Sequence, residues 1–477
     1  MTAFLTLPIG AILILLLHLL KMPRRLLLGV FFATLVFSFA AALGEIMLGV
    51  RTHHICTIFR IDDFTRFFIL IFTGVTGLAA WGFFDGEKSG SIFSLRLTEI
   101  IAPPLLLAAF AMALVAASTS VIALFLSMEF LAIAFYELVA LKKNRIGMEA
   151  AIKFFVVGVF SSLLFLLGAA FYFGATGTTD FSVLSVAQFS PFLVAALVLM
   201  LAGIGFKMSI FPLNLWLPDV YQGAPSRITA ILAGAAKKAG FAAYLRMFMP
   251  LTLPMLALTR SMASWQMLMA LFAAFTMLFG VFAAAVQQNV KRMIAYSIIA
   301  HAGFIAIGLA AATRFGYRAA LLHMAIHALM AVGVFAMIGA LEREGITELD
   351  DYNGIAKRMP LFGVVFAVFL ASLTGLPPLA GFLSKFLLFT SAVESGMVWL
   401  AVVAVITSVI SSYFYFVVLR RMFGFESPTA GGLDPSDRDM TFAAASLLRA
   451  PWIVPAFLLM VFGILPHPLL WVIDRIV

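Results

Sequence analysis

The sequence predicts an all-α polytopic membrane protein. Of its 477 residues, 64% are hydrophobic and only 11% are charged, whereas a soluble domain carries about 25% charged residues. The mean hydropathy is +1.11, and apolar runs of about 20 residues, each long enough to cross a bilayer as a helix, recur along the whole chain. These observations exclude a soluble globule and also a disordered chain, since disorder requires low hydrophobicity and high charge.

About fourteen apolar stretches are long enough to be transmembrane helices. They lie at residues 3–20, 26–44, 64–84, 100–118, 120–141, 149–173, 191–211, 227–249, 264–286, 292–312, 318–341, 360–391, 397–419 and 450–472. Two of them look like interrupted helices. The stretch 191–211 runs into Pro212, while 360–391 is too long for one straight crossing and contains Gly375 and Pro377. Because a broken membrane helix exposes backbone groups that must face protein or water, we expect water beside each break.

The distribution of Lys and Arg predicts the orientation. With the N-terminus outside, the inner loops hold 18 of these residues, whereas the outer loops, the span ends next to them and the C-terminus hold 8. The inner loops are then residues 21–25, 85–99, 142–148, 212–227, 287–292, 342–359 and 420–449. The positive-inside rule therefore predicts that both termini lie outside.

Seven charged residues are predicted to lie clear of the span ends, where a charge costs about 2.5–3.5 kcal/mol. They are Lys153, Lys207, Lys237, Lys238, Lys385, Glu129 and Glu137. No arginine is predicted well inside a span. A desolvated lysine can release its proton and regain it beside a carboxylate, whereas arginine stays charged. This set of residues is therefore typical of a proton relay rather than of a voltage sensor.

Glu129 and Glu137 lie on one predicted helix, eight residues apart. They are separated by roughly 80° of rotation and 12 Å of rise, so both can border one polar seam at different depths. Glu129 is the deeper residue, and we predict a functional role for it. Glu137 has an equally good alternative role, which is to neutralise the basic cluster Lys142, Lys143 and Arg145 that follows it.

Lys207 and Lys385 each come shortly after a Gly-Phe pair in an interrupted helix. One lysine in each of two broken spans, in separate halves of the chain, is typical of an inverted-repeat transporter. The alternative, a side chain that snorkels to the interface, fits these mid-span positions poorly and fits Lys153, one turn inside its helix, better. Lys237 and Lys238 point about 100° apart. We expect one of them to face the polar seam and the other to find a partner elsewhere.

His323 and His327 form an i, i+4 pair on one helix face. Such a pair can bind a metal, but no Glu or Cys nearby completes a site. Structural hydrogen bonding and proton transfer are the better alternatives, since histidine titrates near neutrality. His301 is a weaker candidate of the same kind. The single cysteine, Cys56, excludes disulfides, iron–sulfur clusters and CxxC metal sites. The sequence also contains no Gly-rich phosphate loop, nucleophile elbow or haem-type ligand set, so it predicts neither a cofactor nor a metal in this chain.

Three segments that contain these residues resemble a known family. They read GIGFKMSIFPLNLWLPDVYQGAP at 203–225, QQNVKRMIAYSIIAHAG at 287–303 and DDYNGIAKRMPLFGVVFAVFLASLTGLPPLAGFLSK at 350–385. All three resemble the antiporter-like subunits of respiratory complex I, most closely the N-type subunits of proton-pumping NADH-quinone oxidoreductase. The resemblance covers about residues 100–420, and the flanks match only in hydropathy.

The resemblance implies a fourteen-helix fold with two inverted five-helix repeats. On that basis the chain has four parts. Residues 1–99 hold helices 1–3, residues 100–249 the first repeat (helices 4–8), residues 264–420 the second repeat (helices 9–13), and residues 421–477 a loop and helix 14.

The resemblance also implies roles for single residues in a relay at mid-membrane. Glu129 looks like the helix-five glutamate of the family, and Lys207 looks like its helix-seven partner. Lys237 looks like the central helix-eight lysine, and Lys385 like the helix-twelve lysine at the exit end. Lys153 resembles the helix-six lysine of the N-type subunits.

The histidine pair departs from the N type. The spacing of His323 and His327 is more similar to that in the larger L-type subunits, in cation antiporter complexes and in membrane-bound hydrogenases. Against the L type, the chain ends after about fourteen predicted helices and has no room for a long lateral helix.

The leading hypothesis is a non-redox, proton-translocating subunit of a redox-driven complex in the plasma (inner) membrane of a prokaryote. NAD, FMN, iron–sulfur clusters and quinone are then expected in other subunits. The expected partners are other membrane subunits, lipid and protons, but not nucleic acid. The alternative is a subunit of a sodium/proton antiporter complex, of a membrane-bound hydrogenase or of an F420H2 dehydrogenase. A structural scaffold or a solute carrier fits the intramembrane lysines less well.

Overall fold

The structure, a computed structural model, describes residues 1–81, 92–185, 190–255, 260–424 and 452–476. This part of the chain consists of α-helices and one small β-hairpin. The helices are α1 (Thr2–Leu19), α2 (Arg24–Met47), α3 (Asp63–Trp81), α4 (Ile92–Ala117), α5 (Val121–Val139), α6 (Arg145–Thr176), α7 (Pro191–Met208), α8 (Leu217–Gly223), α9 (Ser226–Ile231), α10 (Lys237–Met255), α11 (Arg260–Ala285), α12 (Val290–Ala311), α13 (Arg314–Arg343), α14 (Ile355–Arg358), α15 (Pro360–Thr374), α16 (Ala380–Glu394), α17 (Val398–Phe423), α18 (Ile453–Ile464) and α19 (His467–Asp474). The hairpin pairs β1 (His53–Ile55) with β2 (Phe59–Ile61) in antiparallel register.

The chain is a multi-pass membrane protein. Ten of the described helices are long and apolar enough to cross a membrane, and the bent pair α18 and α19, which meet at 81°, makes an eleventh if it forms one span. This measure does not reproduce the predicted fourteen spans. The reason is local: α10 carries three cations, and the breaks leave α15 and α16 with only 15 residues each.

Both predicted interruptions are present. α7 ends where Ser209 adopts a left-handed backbone conformation, with φ of 59°, and α8 begins only at Leu217. α15 ends where Gly375 adopts φ of 91°, and α16 begins at Ala380. The second break divides the predicted stretch 360–391 into two helices, α15 and α16. The first break ends the stretch 191–211 at the C-terminus of α7, just before Pro212.

A third irregularity was not predicted. A buried π-helical turn, Leu232–Ala236, connects α9 to α10. It lies directly before Lys237, the first residue of α10. Such single-turn π segments are frequent at functional sites.

The centre of the fold is occupied by α12 and α13. In the most apolar part of α12, 94% of the residues are buried, compared with 28% in α6. Helices such as α1, α2, α6 and α17 instead expose large apolar side chains on one face. In a bilayer, these faces can contact lipid or neighbouring helices without any polar group.

Two buried arginines have carboxylate partners, and one of them lies deeper in its helix than the sequence predicted. Arg246 lies in the middle of α10 and donates to the Asp62 carboxylate at 2.8 and 2.5 Å. Arg66 in α3 donates to Glu45 at 3.0 Å. The predicted span ended just after Arg246, whereas α10 continues to Met255. Because each arginine is paired with a carboxylate, neither is left as an isolated buried charge.

Candidate functional site

Lys207 lies in the last turn of α7, directly before the break. Helix α10 approaches it closely because Gly240 has no side chain. A Cβ atom at Gly240 would lie 2.8 Å from the carbonyl carbon of Lys207, a distance that real Cβ contacts do not reach. The close approach of α10 at Gly240 therefore places Lys207 against the helix that carries Lys237 and Lys238.

A cavity of about 20 Å³ joins Lys207 to Lys237. Apolar side chains form most of its wall. Its polar lining residues are Lys207, Ser209, Trp216, Tyr221 and Lys237. A space of about 10–15 Å³ is enough to hold one water molecule. The cavity is thus a polar connection of molecular size between two lysines that lie 30 residues apart in the sequence.

The adjacent lysines at the start of α10 are both buried and face different polar groups. Lys237 Nζ donates to the carbonyl oxygen of Ile298 in α12 at 3.0 Å. Lys238 Nζ donates to the carbonyl oxygen of Ala233 at 2.5 Å and lies 2.7 Å from His327 Nδ1. Both lysines therefore border the polar seam, one at the cavity and the other at the histidines.

His301 in α12 and the pair His323 and His327 in α13 form one buried cluster. His301 Nδ1 lies 3.1 Å from His323 Nε2, and the ring centres of His301 and His327 are 4.8 Å apart. His323 Nδ1 lies 3.0 Å from Ser384 Oγ in α16. Both ring nitrogens of His323 therefore lie within hydrogen-bond distance of a polar atom on another helix.

Lys385 is buried in α16, just beyond the second break. Its ammonium donates to the carbonyl oxygen of Thr374, the last residue of α15, at 3.0 Å. It lies 4.6 Å from the centre of the Phe304 ring, within the range of a cation–π contact. The residue before it, Ser384, is the one that contacts the histidine cluster. Adjacent residues of α16 therefore contact the two groups: Ser384 lies against the histidine cluster, and Lys385 lies at the break.

The two predicted glutamates have different environments. Glu129 in α5 is half-buried and accepts a hydrogen bond from Ser162 of α6. Its charge acts on Lys207, but its carboxylate bonds Ser162 rather than that lysine. Glu137 is exposed. Of the basic cluster predicted to be its alternative partner (Lys142, Lys143 and Arg145), Lys142 pairs instead with Glu342 at 2.9 Å.

Replacing Glu129 with glutamine should therefore lower coupled proton pumping by about threefold or more, and by more than the same change at Glu137. The reason is the difference between the two sites: Glu129 is half-buried and bonded to Ser162, whereas Glu137 is exposed. Proton pumping should be measured in membrane vesicles that contain equal amounts of the assembled complex. A larger loss for Glu137→Gln than for Glu129→Gln would show that Glu137 is the functional carboxylate.

Lys153 belongs to a separate group of ion pairs. Its ammonium bonds Glu149 and Asp219, each at 2.7 Å. Asp219, the first residue of the DVYQGAP segment, also bonds Arg292 at 2.6 Å. Burial by itself raises the pKa of Asp219, but hydrogen bonds from Lys153 and Arg292 outweigh burial and hold the pKa below its usual value. Lys153 is thus fixed near the helix ends and does not join the buried row.

A second charged group, which the sequence did not predict, surrounds Glu342. Its carboxylate lies 3.1 Å from Lys291 Nζ, pairs with Lys142 and accepts a hydrogen bond from Ser226. Lys291 also donates to the carbonyl oxygen of Ala224 at 2.7 Å. The predicted spans ended one residue short of both charges, whereas α12 and α13 extend past them. The only sequence signal was the position of these residues at neighbouring span ends.

The amino-acid sequence is similar to a family of known membrane proteins. Residues 118–411 match the model of a family described as NADH:quinone oxidoreductase/Mrp antiporter, transmembrane. The F(420)H(2) dehydrogenase subunit N of Methanosarcina mazei is 35% identical over 86% of this chain and 82% of that protein. The NADH-quinone oxidoreductase subunit N 1 of Thermodesulfovibrio yellowstonii is 35% identical over 87% of each chain.

Solved structures agree in fold over nearly the whole chain. A chain of respiratory complex I from Thermus thermophilus is 28% identical, with a TM-score of 0.79 and coverage of 98% of both chains. A chain of the Mrp complex from Dietzia has a TM-score of 0.86 over 99% of this chain and 96% of that one, but at 22% identity it shows the fold alone. The chain therefore belongs to the NADH:quinone oxidoreductase/Mrp antiporter transmembrane family.

Proposed function

We propose that this chain is a proton-translocating, antiporter-like subunit of a redox-driven, complex I-type respiratory enzyme, similar to subunit N of NADH-quinone oxidoreductase. The observation that carries the proposal is a row of titratable side chains. It begins at the half-buried Lys207 and continues through the buried Lys237, Lys238 and histidine cluster to the buried Lys385. Ionisable groups inside a membrane are costly. A row of such groups, each of which can bind and release a proton, can pass protons from one group to the next.

The first half of the relay runs from Lys207 to Lys237. In this relay, Glu129 is the carboxylate whose negative charge attracts the proton that Lys207 carries. A charge change in a neighbouring subunit that withdraws or neutralises Glu129 removes this stabilisation. Lys207 then releases its proton, and the polar cavity between the two lysines is the route to Lys237. The Glu129 carboxylate bonds Ser162 and not Lys207. Neutralising Glu129 therefore breaks no direct hydrogen bond to Lys207.

The second half runs from Lys237 to Lys385. Lys237 and Lys238 are adjacent, so a proton that arrives on the first repels a proton on the second. Lys238 lies 2.7 Å from His327 Nδ1, within reach of direct transfer. The histidine cluster continues to Ser384, the residue before Lys385. In this scheme, a proton that arrives on one group repels the proton on the next group and drives it forward. Protonated and neutral groups therefore alternate along the row.

The energy for this transfer comes from other subunits. NAD, FMN, iron–sulfur clusters and quinone belong there in this proposal, and the chain contributes no redox chemistry. The M. mazei relative and the T. yellowstonii relative carry names with different electron donors, yet both are 35% identical to this chain. Equal similarity to both supports a subunit that does not contact the electron donor.

The chain would lie in the plasma (inner) membrane of a prokaryote with both termini outside. The count of Lys and Arg by loop supports this orientation. Ion pairs of Glu342 with Lys142 and Lys291 hold three of the predicted inner loops together at one end of the molecule. The division into inverted repeats at residues 100–249 and 264–420 is part of the same proposal. It is supported by one broken helix with one lysine in each half.

A subunit of this kind should not pump on its own. The purified chain in liposomes should show no substrate-driven proton uptake, and the parent complex should lose coupled turnover when the chain is absent. Proton movement is measured with a pH-sensitive dye, with liposomes that contain the intact complex as the positive control. Robust sodium/proton exchange by the isolated chain under an imposed pH gradient would contradict the proposal and would favour the sodium/proton antiporter.

A further inference from the structure

The segment between α7 and α8 carries two buried polar side chains without a protein partner. Ser209 Oγ and Trp216 Nε1 are shielded from solvent, and within the described residues neither makes a hydrogen bond. An unsatisfied buried donor or acceptor costs about 1–3 kcal/mol. Both residues line the cavity that joins Lys207 to Lys237.

The size and lining of the cavity match one small polar molecule. Its volume is about 20 Å³, whereas one water needs about 10–15 Å³ and makes 2–4 hydrogen bonds. The hydroxyl of Ser209, the indole N–H of Trp216 and the two lysine side chains supply that number of partners. An apolar molecule would leave Ser209 Oγ and Trp216 Nε1 without a hydrogen bond.

We propose that Ser209 and Trp216 are positioning residues that hold a proton-carrying water between Lys207 and Lys237. This inference rests on the proposed proton relay. The indole N–H can only donate, so it occupies one lone pair of the water and takes no part in the transfer itself. The serine hydroxyl can both donate and accept, and it fixes the remaining orientation.

The transfer conserves atoms and charge. The ammonium of Lys207 gives its proton to the oxygen of the water, and one of the water's own protons passes to the neutral amine of Lys237. One N–H bond breaks at Lys207, one N–H bond forms at Lys237, and the water is restored. No oxidant or reductant takes part.

The packing around Trp216 allows its hydrogen bond to be tested separately from its bulk. The indole ring lies between the rings of Phe154 and Phe206, at centre distances of 4.9 and 4.7 Å. Trp216→Phe keeps an aromatic ring in this stack and removes the N–H. Ser209→Ala removes a single hydroxyl oxygen and serves as the second variant if Trp216→Phe does not assemble.

The test compares proton pumping by the intact complex in H₂O and in D₂O. Each variant should lower pumping by about threefold or more, as expected for the loss of one hydrogen bond in a limiting step. Each should also raise the solvent isotope effect, because transfer through the cavity becomes limiting. The double variant should lose less than the product of the two single losses, since both residues act on the same water.

Two control variants remove the same chemical groups elsewhere. Trp265→Phe removes an indole N–H that bonds Tyr244 at 3.4 Å. Ser372→Ala removes another buried hydroxyl without a partner in the described structure. Neither residue lines the cavity, so pumping and the isotope effect should stay at the wild-type values. In a high-resolution structure of the complex, ordered density should lie within hydrogen-bond distance of Trp216 Nε1.

The outcomes separate this inference from the proposed function. Wild-type pumping and a wild-type isotope effect in assembled Trp216→Phe and Ser209→Ala complexes, together with a defect in Lys207→Ala, would overturn only the water-positioning role. Normal pumping in Lys207→Ala would overturn the relay itself and this inference with it.

Discussion

Replacing Lys207 with alanine should leave the complex assembled and lower coupled proton pumping by about tenfold or more. Lys207 is the residue on which Glu129 acts, and it opens onto the cavity that leads to Lys237. Without an amine at this position, the first half of the row has no group that takes up a proton. Pumping should be measured in vesicles at equal complex content, with electron transfer recorded in parallel.

The variant Lys207→Arg separates proton release from positive charge. Arginine keeps the charge but does not give up its proton, so this variant should not restore full pumping. Lys143→Ala is a matched control, since Lys143 is exposed and lies in a predicted inner loop. Wild-type pumping in Lys207→Ala would exclude Lys207 from the relay.

Replacing Lys238 with methionine should cause a loss of similar size, about tenfold, because it interrupts the only contact between α10 and His327 that is within direct transfer distance in the described structure. Methionine has similar length and an apolar side chain. Methionine is also flexible enough to fill the space that the buried lysine side chain leaves. The complex should therefore assemble, and a loss of pumping would report on proton transfer.

Lys237→Met is the informative comparison for this prediction. Both lysines are buried, but Lys237 bonds Ile298 and borders the cavity, whereas Lys238 bonds the histidine. If both contribute in series, each single variant is impaired and the double variant is hardly worse. Normal pumping in Lys238→Met with a defect in Lys237→Met would mean that protons pass from Lys237 to the histidines by another route.

Much of the fold could be predicted because its signals are local. The two broken helices follow from Pro and Gly residues in otherwise apolar runs: α7 ends four residues before Pro212, and α15 ends directly before Gly375. The buried arginine Arg246 was missed because its partner, Asp62, lies 184 residues away. No local pattern indicates that such a charge is neutralised. The π turn before Lys237 was also missed, since the sequence there reads as an ordinary small-residue helix.

The candidate site was predicted residue by residue, but not its connections. The sequence singled out Lys207, Lys237 and Lys385 among the described charges, and these three lie on the buried row. It also offered Glu137 and Lys153. The structure leaves the first exposed and ties the second to Glu149 and Asp219.

By itself, the sequence determined that the chain is a multi-pass membrane protein with titratable groups inside its helices. Apolar run length and the charges within a run are properties of neighbouring residues. Only the tertiary structure decided which groups meet: Lys237 and Lys207 at one cavity, and Lys238 at His327. The reason is geometric. A hydrogen bond spans about 3 Å, whereas one residue of uncertainty in a helix turns a side chain by about 100°. Which side chains touch is therefore set by the packing of helices that are distant in the sequence.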